Sequence, residues 1–89
     1  MEKYELIEEI MKFGFDYGLF NIGIDKREIK TGISYMLDDC EFLENLINTI
    51  ILKSKYGDNS DKERIKVILL ELEKIRLELE YEVVIQNKH

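Results

Sequence analysis

Apolar residues in the middle of the chain recur at helical spacing. Between residues 29 and 50 the steps alternate between four and three residues, and a second run over residues 65–79 shows the same alternation. The first series consists of Ile29, Ile33, Met36, Cys40, Leu43, Ile47 and Ile50, and the second of Ile65, Ile68, Leu72, Ile75 and Leu79. The turn sequence Gly57-Asp58-Asn59-Ser60 lies between them. Because a short loop makes neighbouring helices antiparallel, the pattern predicts a helical hairpin with two facing apolar stripes.

Local signals mark the starts of these two helices. Asp25 lies three residues before Glu28, and Ser60 lies three residues before Glu63. At this spacing each side chain can satisfy a free backbone N–H group at the start of a helix. The predicted helices span about residues 26–56 and about residues 61–84.

A third amphipathic helix is predicted at the start of the chain, over about residues 2–19. Its apolar side is wide, which suits a helix that lies in the groove of a hairpin. This side combines two neighbouring stripes, one of Leu6, Ile10, Phe13, Tyr17 and Phe20 and one of Tyr4, Ile7, Met11 and Phe15. Gly14 and Gly18 admit two interpretations, close approach of another backbone or a loose exit from the helix at Gly18.

These elements predict an all-α fold, a three-helix bundle in which a shorter N-terminal helix packs across a long antiparallel hairpin. Residues 1–89 are expected to form one domain. The single cysteine, Cys40, excludes an intramolecular disulfide, and its seam position favours a small buried hydrophobe over a reactive thiol. The first residues lack the pattern of a signal peptide, and no apolar run approaches the ~20 residues of a membrane span. We therefore expect a cytoplasmic protein with no membrane contact.

Catalytic chemistry has little support in the sequence. The only histidine is His89, no serine lies in a nucleophile motif, and the glycines form no phosphate-binding loop. Carboxylates cluster at residues 38–44, but a di-metal helical bundle needs a Glu-x-x-His motif, which does not occur. We therefore expect no enzymatic activity, no cofactor and no metal site.

The charge balance bears on possible partners. Acidic residues outnumber basic ones by 19 to 13, for a formal net charge of −6, so direct binding to nucleic acid is not expected. An alternative hypothesis is that the acidic protein imitates nucleic acid instead of binding it. No Lys or Arg occurs over residues 31–52, and an acidic mimic of DNA or RNA could block the protein that binds it. The absence of Pro and Ala beside abundant Ile, Lys and Asn suggests AT-rich coding, and so a bacterial or phage origin.

One surface of the second predicted helix is a candidate for protein binding. Tyr35 and Phe42 are seven residues apart on the side away from the seam, with Leu46 beside Phe42. Acidic residues surround them, namely Asp38, Asp39, Glu41 and Glu44. Exposed aromatics with a charged rim are typical of interfaces. The competing interpretation is that helix one covers both aromatics.

The sequence thus favours a non-catalytic protein-binding module. It would act as a small regulator or inhibitor of another protein, or through self-association as a homodimer. The alternative is the acidic nucleic-acid mimic described above, encoded by a phage or another mobile element.

Overall fold

The computed structural model describes residues 1–20, 23–55 and 61–87, the last five of these by their backbone alone. Within these ranges the regular structure is helical throughout and contains no strand. The helices are α1 (Lys3–Asp16), α2 (Lys26–Leu37), α3 (Cys40–Ser54) and α4 (Lys62–Asn87). The predicted all-α class is confirmed. The predicted number of three helices is wrong, because the described residues form four. The predicted turn at residues 57–60, with Ser60 as a cap, lies outside the described residues.

The additional helix arises from a break at Asp38 and Asp39. Asp39 has an extended backbone, with φ −127° and ψ 122°. Its carboxylate Oδ1 accepts hydrogen bonds from the backbone N–H groups of Glu41, at 2.9 Å, and Phe42, at 3.2 Å. These are donors that a helix start leaves without an intrahelical acceptor, so Asp39 ends one helix and caps the next. The helix predicted over residues 26–56 is therefore two helices, α2 and α3.

The break changes which side chains reach the core. Leu37 is fully buried, whereas Met36 is exposed and Cys40 is only partly buried. The predicted burial of Met36 and Cys40 is wrong, because their seam positions assumed a helix that continues through Asp39. The other members of the first series, Ile29, Ile33, Leu43, Ile47 and Ile50, are buried as predicted.

Each of the four helices packs on at least two of the others. The most extensive packing is between α3 and α4, followed by that of α1 on α2 and of α2 on α3, and α1 also contacts α4. Ser54 and Lys55 share a cleft with Lys62 and Ile65, whereas Asp38 shares one with Glu71. The start of α3 therefore lies near the middle of α4 and its end near the start of α4, so the two helices are antiparallel.

One hydrophobic core is shared by all four helices. Its buried members are Leu6, Ile10, Met11 and Phe13 from α1, Ile29, Ile33 and Leu37 from α2, Leu43, Ile47 and Ile50 from α3, and Ile65, Ile68 and Leu72 from α4. Ile75 and Leu79 are only partly buried at its edge. The reason is length, since α3 has 15 residues and α4 has 26, or about 22 Å against about 39 Å of helix axis. The carboxyl-terminal part of α4 therefore extends beyond α3.

Truncation of the core should destabilise the protein strongly. Leu43 and Leu72 are fully buried in the interface between α3 and α4. Leu43→Ala or Leu72→Ala should lower the free energy of unfolding by about 2–5 kcal/mol, because each leaves a cavity. The matched control is Leu52→Ala on the exposed side of α3, where a change within about 0.5 kcal/mol is expected. Urea denaturation measures all three, and a buried variant as stable as the control would contradict this packing.

The cap at Asp39 gives a second prediction, with its neighbour as the control. Asp39→Ala should cost about 1 kcal/mol of unfolding free energy, because two N–H groups of α3 lose their acceptor. Asp38→Ala removes only an exposed ion pair with Lys3, which is typically worth about 0–1 kcal/mol and is weakened by salt. Thermal melts at low and high salt should show a salt-independent loss for Asp39→Ala alone. The same salt dependence for both variants would show that Asp39 is not the cap.

Candidate protein-binding site

An apolar groove lies where the chain leaving α1 meets α2 and α3. It has a volume of about 200 Å³, and Phe42 and Leu46 of α3 form part of its wall. Phe42 is 56 % exposed and Leu46 is partly buried. We call this the Phe42 groove, and its lining residues are Ile10, Leu19, Phe20, Ile33, Met36, Phe42, Asn45, Leu46 and Thr49. Only Asn45 and Thr49 are polar, so the groove is suited to apolar side chains.

The exit from α1 directs the chain towards this groove. Gly18 has φ +67°, and the N–H of Leu19 donates to the carbonyl of Gly14 at 2.7 Å. The N–H of Gly18 donates to the carbonyl of Phe15 at 3.4 Å. Together these two bonds form a Schellman motif, in which a left-handed glycine ends the helix. Of the two interpretations of Gly18, the exit from the helix is confirmed.

Gly14 leaves room for the Phe20 ring, which forms part of the groove wall, to pack directly on α1. A Cβ atom at Gly14 would lie only 2.0 Å from a ring carbon of Phe20, so the aromatic ring rests directly on the glycine. The Phe20 ring also contacts Phe15 edge-on, with 5.5 Å between ring centroids. The interpretation that these glycines admit another backbone is wrong at Gly14, because the group that approaches it is the side chain of Phe20. This contact fixes Phe20 as a wall of the Phe42 groove.

A polar clamp ties the end of α1 to the start of α4. The Tyr17 hydroxyl donates to Asp61 Oδ2 at 2.7 Å, and both terminal nitrogens of Arg64 donate to Asp16 Oδ2 at 3.0 Å. The Arg64 guanidinium also lies 5.8 Å from the centroid of the Phe13 ring. Charge-assisted bonds of this kind are stronger than neutral ones. The clamp therefore holds in place the segment that supplies Leu19 and Phe20.

Tyr35 and Phe42, predicted on one surface, are not brought together. Tyr35 is 71 % exposed and lies in a cleft with Tyr4 and Lys30, which shares no lining residue with the Phe42 groove. The break at Asp39 places them on different helices, so their seven-residue spacing no longer gives a common direction. The competing interpretation, that helix one covers both aromatics, is wrong, because both are exposed.

The four carboxylates predicted at this surface have different environments. Asp38 forms an ion pair with Lys3 at 2.9 Å, and Asp39 caps α3. Glu41 immediately precedes Phe42, whereas Glu44 lies two residues after it and so points about 200° away around the helix. All four are exposed, and none of them is a lining residue of the Phe42 groove.

Seven of the nine lining residues of the groove were not among the predicted protein-binding residues, and Leu19 and Phe20 are two of them. Phe20 was placed on the apolar stripe of the first helix, although it lies beyond the end of α1. The available signal was Gly18, since a left-handed glycine turns the chain and moves the following residues off the helical stripe. Met36, also a lining residue, was assigned to the buried seam because the sequence predicted one helix that continues through Asp39.

Comparison with protein-family models, with curated proteins and with solved structures finds no match to this chain. Its function must therefore be argued from geometry. Across residues 1–20, 23–55 and 61–87, no three His, Cys, Asp or Glu side chains are grouped so as to hold a metal ion. In the same part of the chain, no helix has the length and apolar character needed to cross a membrane.

The contact between Gly14 and Phe20 can be tested by a pair of glycine variants. Gly14→Ala must displace the Phe20 ring, so we expect a loss of about 1–3 kcal/mol in unfolding free energy. The control is Gly32→Ala in α2, where an added Cβ meets nothing within 4 Å. That variant should gain up to about 1 kcal/mol, because alanine is the better helix former. Chemical denaturation measures both, and a gain in both would contradict the packing of Phe20 on α1.

Proposed function

We propose that this chain is a non-catalytic protein-binding module, a small regulator or inhibitor that binds its partner through the Phe42 groove. The observation that carries the proposal is an exposed aromatic side chain at the mouth of an apolar groove. Phe42 lines the groove together with Leu46, Leu19 and Phe20, and the exposed part of its ring adds contact area at the mouth. A concave apolar pocket beside an exposed aromatic anchor is the usual setting of interface hot spots.

The size of the groove limits its ligand. About 200 Å³ is below the range of about 300–1,000 Å³ that is typical of sites for cofactors and drug-sized molecules. It suffices for one or two apolar side chains of another protein. Exposed Glu41, beside Phe42, would belong to the polar rim and favour a partner with a cation at that edge. A second copy of this chain could also supply the side chains, which would make the module a homodimer.

The alternative function, an acidic mimic of nucleic acid, has less support. It requires carboxylates that are free to meet the cations of a DNA- or RNA-binding protein. Asp38 is already paired with Lys3, and Asp39 is engaged by the backbone of α3. Glu41 and Glu44, three residues apart and so on one side of α3, then carry the mimicry alone. The net charge of −6 still disfavours direct contact with phosphates, so a protein is the expected partner.

A photo-crosslinking experiment tests the proposal. A photoreactive phenylalanine analogue at position 42 should crosslink to a specific partner in a lysate of the source cells, and the same analogue at position 35 should not. Phe42→Ser should abolish capture by the tagged protein, while Tyr35→Ser retains it, because Phe42 lies at the groove and Tyr35 does not. Both residues are exposed, so the melting temperatures should change little.

The acidic alternative has its own variant. Asp38→Asn, Asp39→Asn, Glu41→Gln and Glu44→Gln in one chain remove the charge while Asn at position 39 still caps α3. If this variant loses a salt-sensitive partner and Phe42→Ser keeps it, mimicry replaces the groove as the function. Capture that survives both changes would contradict both hypotheses.

A further inference from the structure

A second groove lies between the end of α3 and the start of α4. Its volume is about 470 Å³, against about 200 Å³ for the Phe42 groove, and no described residue lines both. We call it the Lys66 groove, after the lysine that lies between its charged end and its apolar end. Its volume lies within the range of about 300–1,000 Å³ that is typical of sites for small molecules.

The floor of the Lys66 groove is apolar. It consists of Ile65, which is buried, Leu69, which is partly buried, and Leu70, which is 55 % exposed. A hydrocarbon chain that covers Leu69 and Leu70 would remove apolar surface of the protein and of the ligand from water. The floor therefore favours a ligand with an aliphatic part.

The rim of the Lys66 groove is cationic. Lys55 follows the end of α3, whereas Lys62 and Lys66 lie one turn apart on α4. Among the described residues, no carboxylate lies within 4.0 Å of any of these three ammonium groups. Glu73 also lines the groove, but its carboxylate is paired with Arg76 at 2.8 Å. The charged groups that remain available to a ligand are therefore the three lysines.

Two further carboxylates lie near the start of α4, and neither lines the groove. Asp61 Oδ2 accepts a hydrogen bond from the Tyr17 hydroxyl at 2.7 Å. Glu63 is exposed and follows Lys62, so it lies about 100° further around the helix axis. The lining of the groove thus carries positive charge, although the chain as a whole has a formal net charge of −6.

Charge and apolar surface are separated along the groove. Lys62 and Lys66 lie on the first turns of α4, Leu69 and Leu70 follow, and Glu73 closes the other end about 16 Å from Lys62. The start of a helix also favours negative charge. A ligand with an anionic head and an aliphatic tail matches this order. An acidic peptide matches it less well, because carboxylates repeated along its length would meet the apolar part and Glu73.

We propose that the Lys66 groove binds a small amphipathic anion, an alkyl chain with one carboxylate or phosphate head group. Lys55, Lys62 and Lys66 bind the head group, and the chain lies on Leu69 and Leu70. This binding site is separate from the Phe42 groove, so either one can be lost without the other.

Isothermal titration calorimetry with dodecanoate, below its micellar concentration, tests the site. We expect saturable binding of one dodecanoate per chain that weakens as salt rises, because the head group meets lysines at the surface. Dodecyltrimethylammonium has the same chain with the opposite charge, and acetate has the same head group without the chain. Each should bind at least about tenfold more weakly. A parallel titration with dodecyl phosphate shows which head group binds more tightly.

A pair of lysine variants locates the charge. Lys62→Gln with Lys66→Gln should raise the dodecanoate dissociation constant by about tenfold or more. The matched control, Lys12→Gln with Lys26→Gln, removes two exposed lysines elsewhere and should leave the constant unchanged. All four lysines are exposed, so circular dichroism should show the same helicity in both variants.

Two single variants locate the chain. Leu70→Ser should weaken dodecanoate binding, because it removes exposed apolar surface from the floor. Phe42→Ser should leave dodecanoate binding intact, even though it is expected to abolish partner capture. Amide chemical shifts in NMR spectra should change mainly at residues 62–73 and at Ser54 and Lys55.

Four results would overturn the proposal. They are the absence of saturable binding, binding of the cationic probe as tight as that of dodecanoate, equal losses in the two lysine variants, and shift changes centred on the Phe42 groove. Binding to phosphatidylglycerol vesicles without binding of monomeric dodecanoate or dodecyl phosphate would also overturn it, because the lysines would then serve a lipid surface.

Discussion

The hydrogen bonds of a single carboxylate, that of Asp39, determine much of this structure. A helix interior offers an aspartate no backbone N–H to bind, whereas a helix start offers two or three. The Asp39 carboxylate accepts hydrogen bonds from the N–H groups at the start of α3, and the chain turns between α2 and α3. Leu37 then enters the core in place of Met36, and α2 packs on α1 as well as on α3. A continuous helix would have kept the whole of residues 26–56 along α4.

The Phe42 groove depends on the same break and on the exit from α1. Met36 becomes available as a lining residue only because Leu37 occupies the core. The opposite wall depends on two glycines with different roles. Gly18 permits the left-handed backbone that ends α1, and Gly14 leaves room for the Phe20 ring. The groove is thus built by backbone geometry at three points, none of which is part of its surface.

The length of α4 explains why this small protein exposes so much apolar area. Its inner side serves the core over the length of α3, and its carboxyl-terminal part extends beyond that helix. The outer side of α4 carries further apolar residues that remain exposed, namely Val67, Leu70, Leu77 and Tyr81. A chain of 89 residues buries a limited share of its surface, and association is a common way for such chains to gain stability.

The sequence by itself determined the helical class and most of the core, because periodicity depends only on which residues are apolar. Leu43, Ile47, Ile50, Ile65, Ile68 and Leu72 follow from their spacing and are buried. For Phe42 the sequence left exposure and burial under helix one as two open interpretations, and the side chain is exposed. The break at Asp39 was not, because the apolar series continues through it without interruption and an aspartate is compatible with both a helix surface and a cap.

Only the tertiary structure decided that Tyr35 and Phe42, predicted on one surface, lie on two. Tyr35 and Phe42 share a side only if one helix carries both, and the turn at Asp39 removes that condition. The contact between Phe20 and Gly14 depends on where α1 ends. Periodicity alone does not fix that position. The sequence specified which side chains are apolar. The backbone turns at Gly18 and Asp39 specified which of the exposed apolar side chains lie side by side.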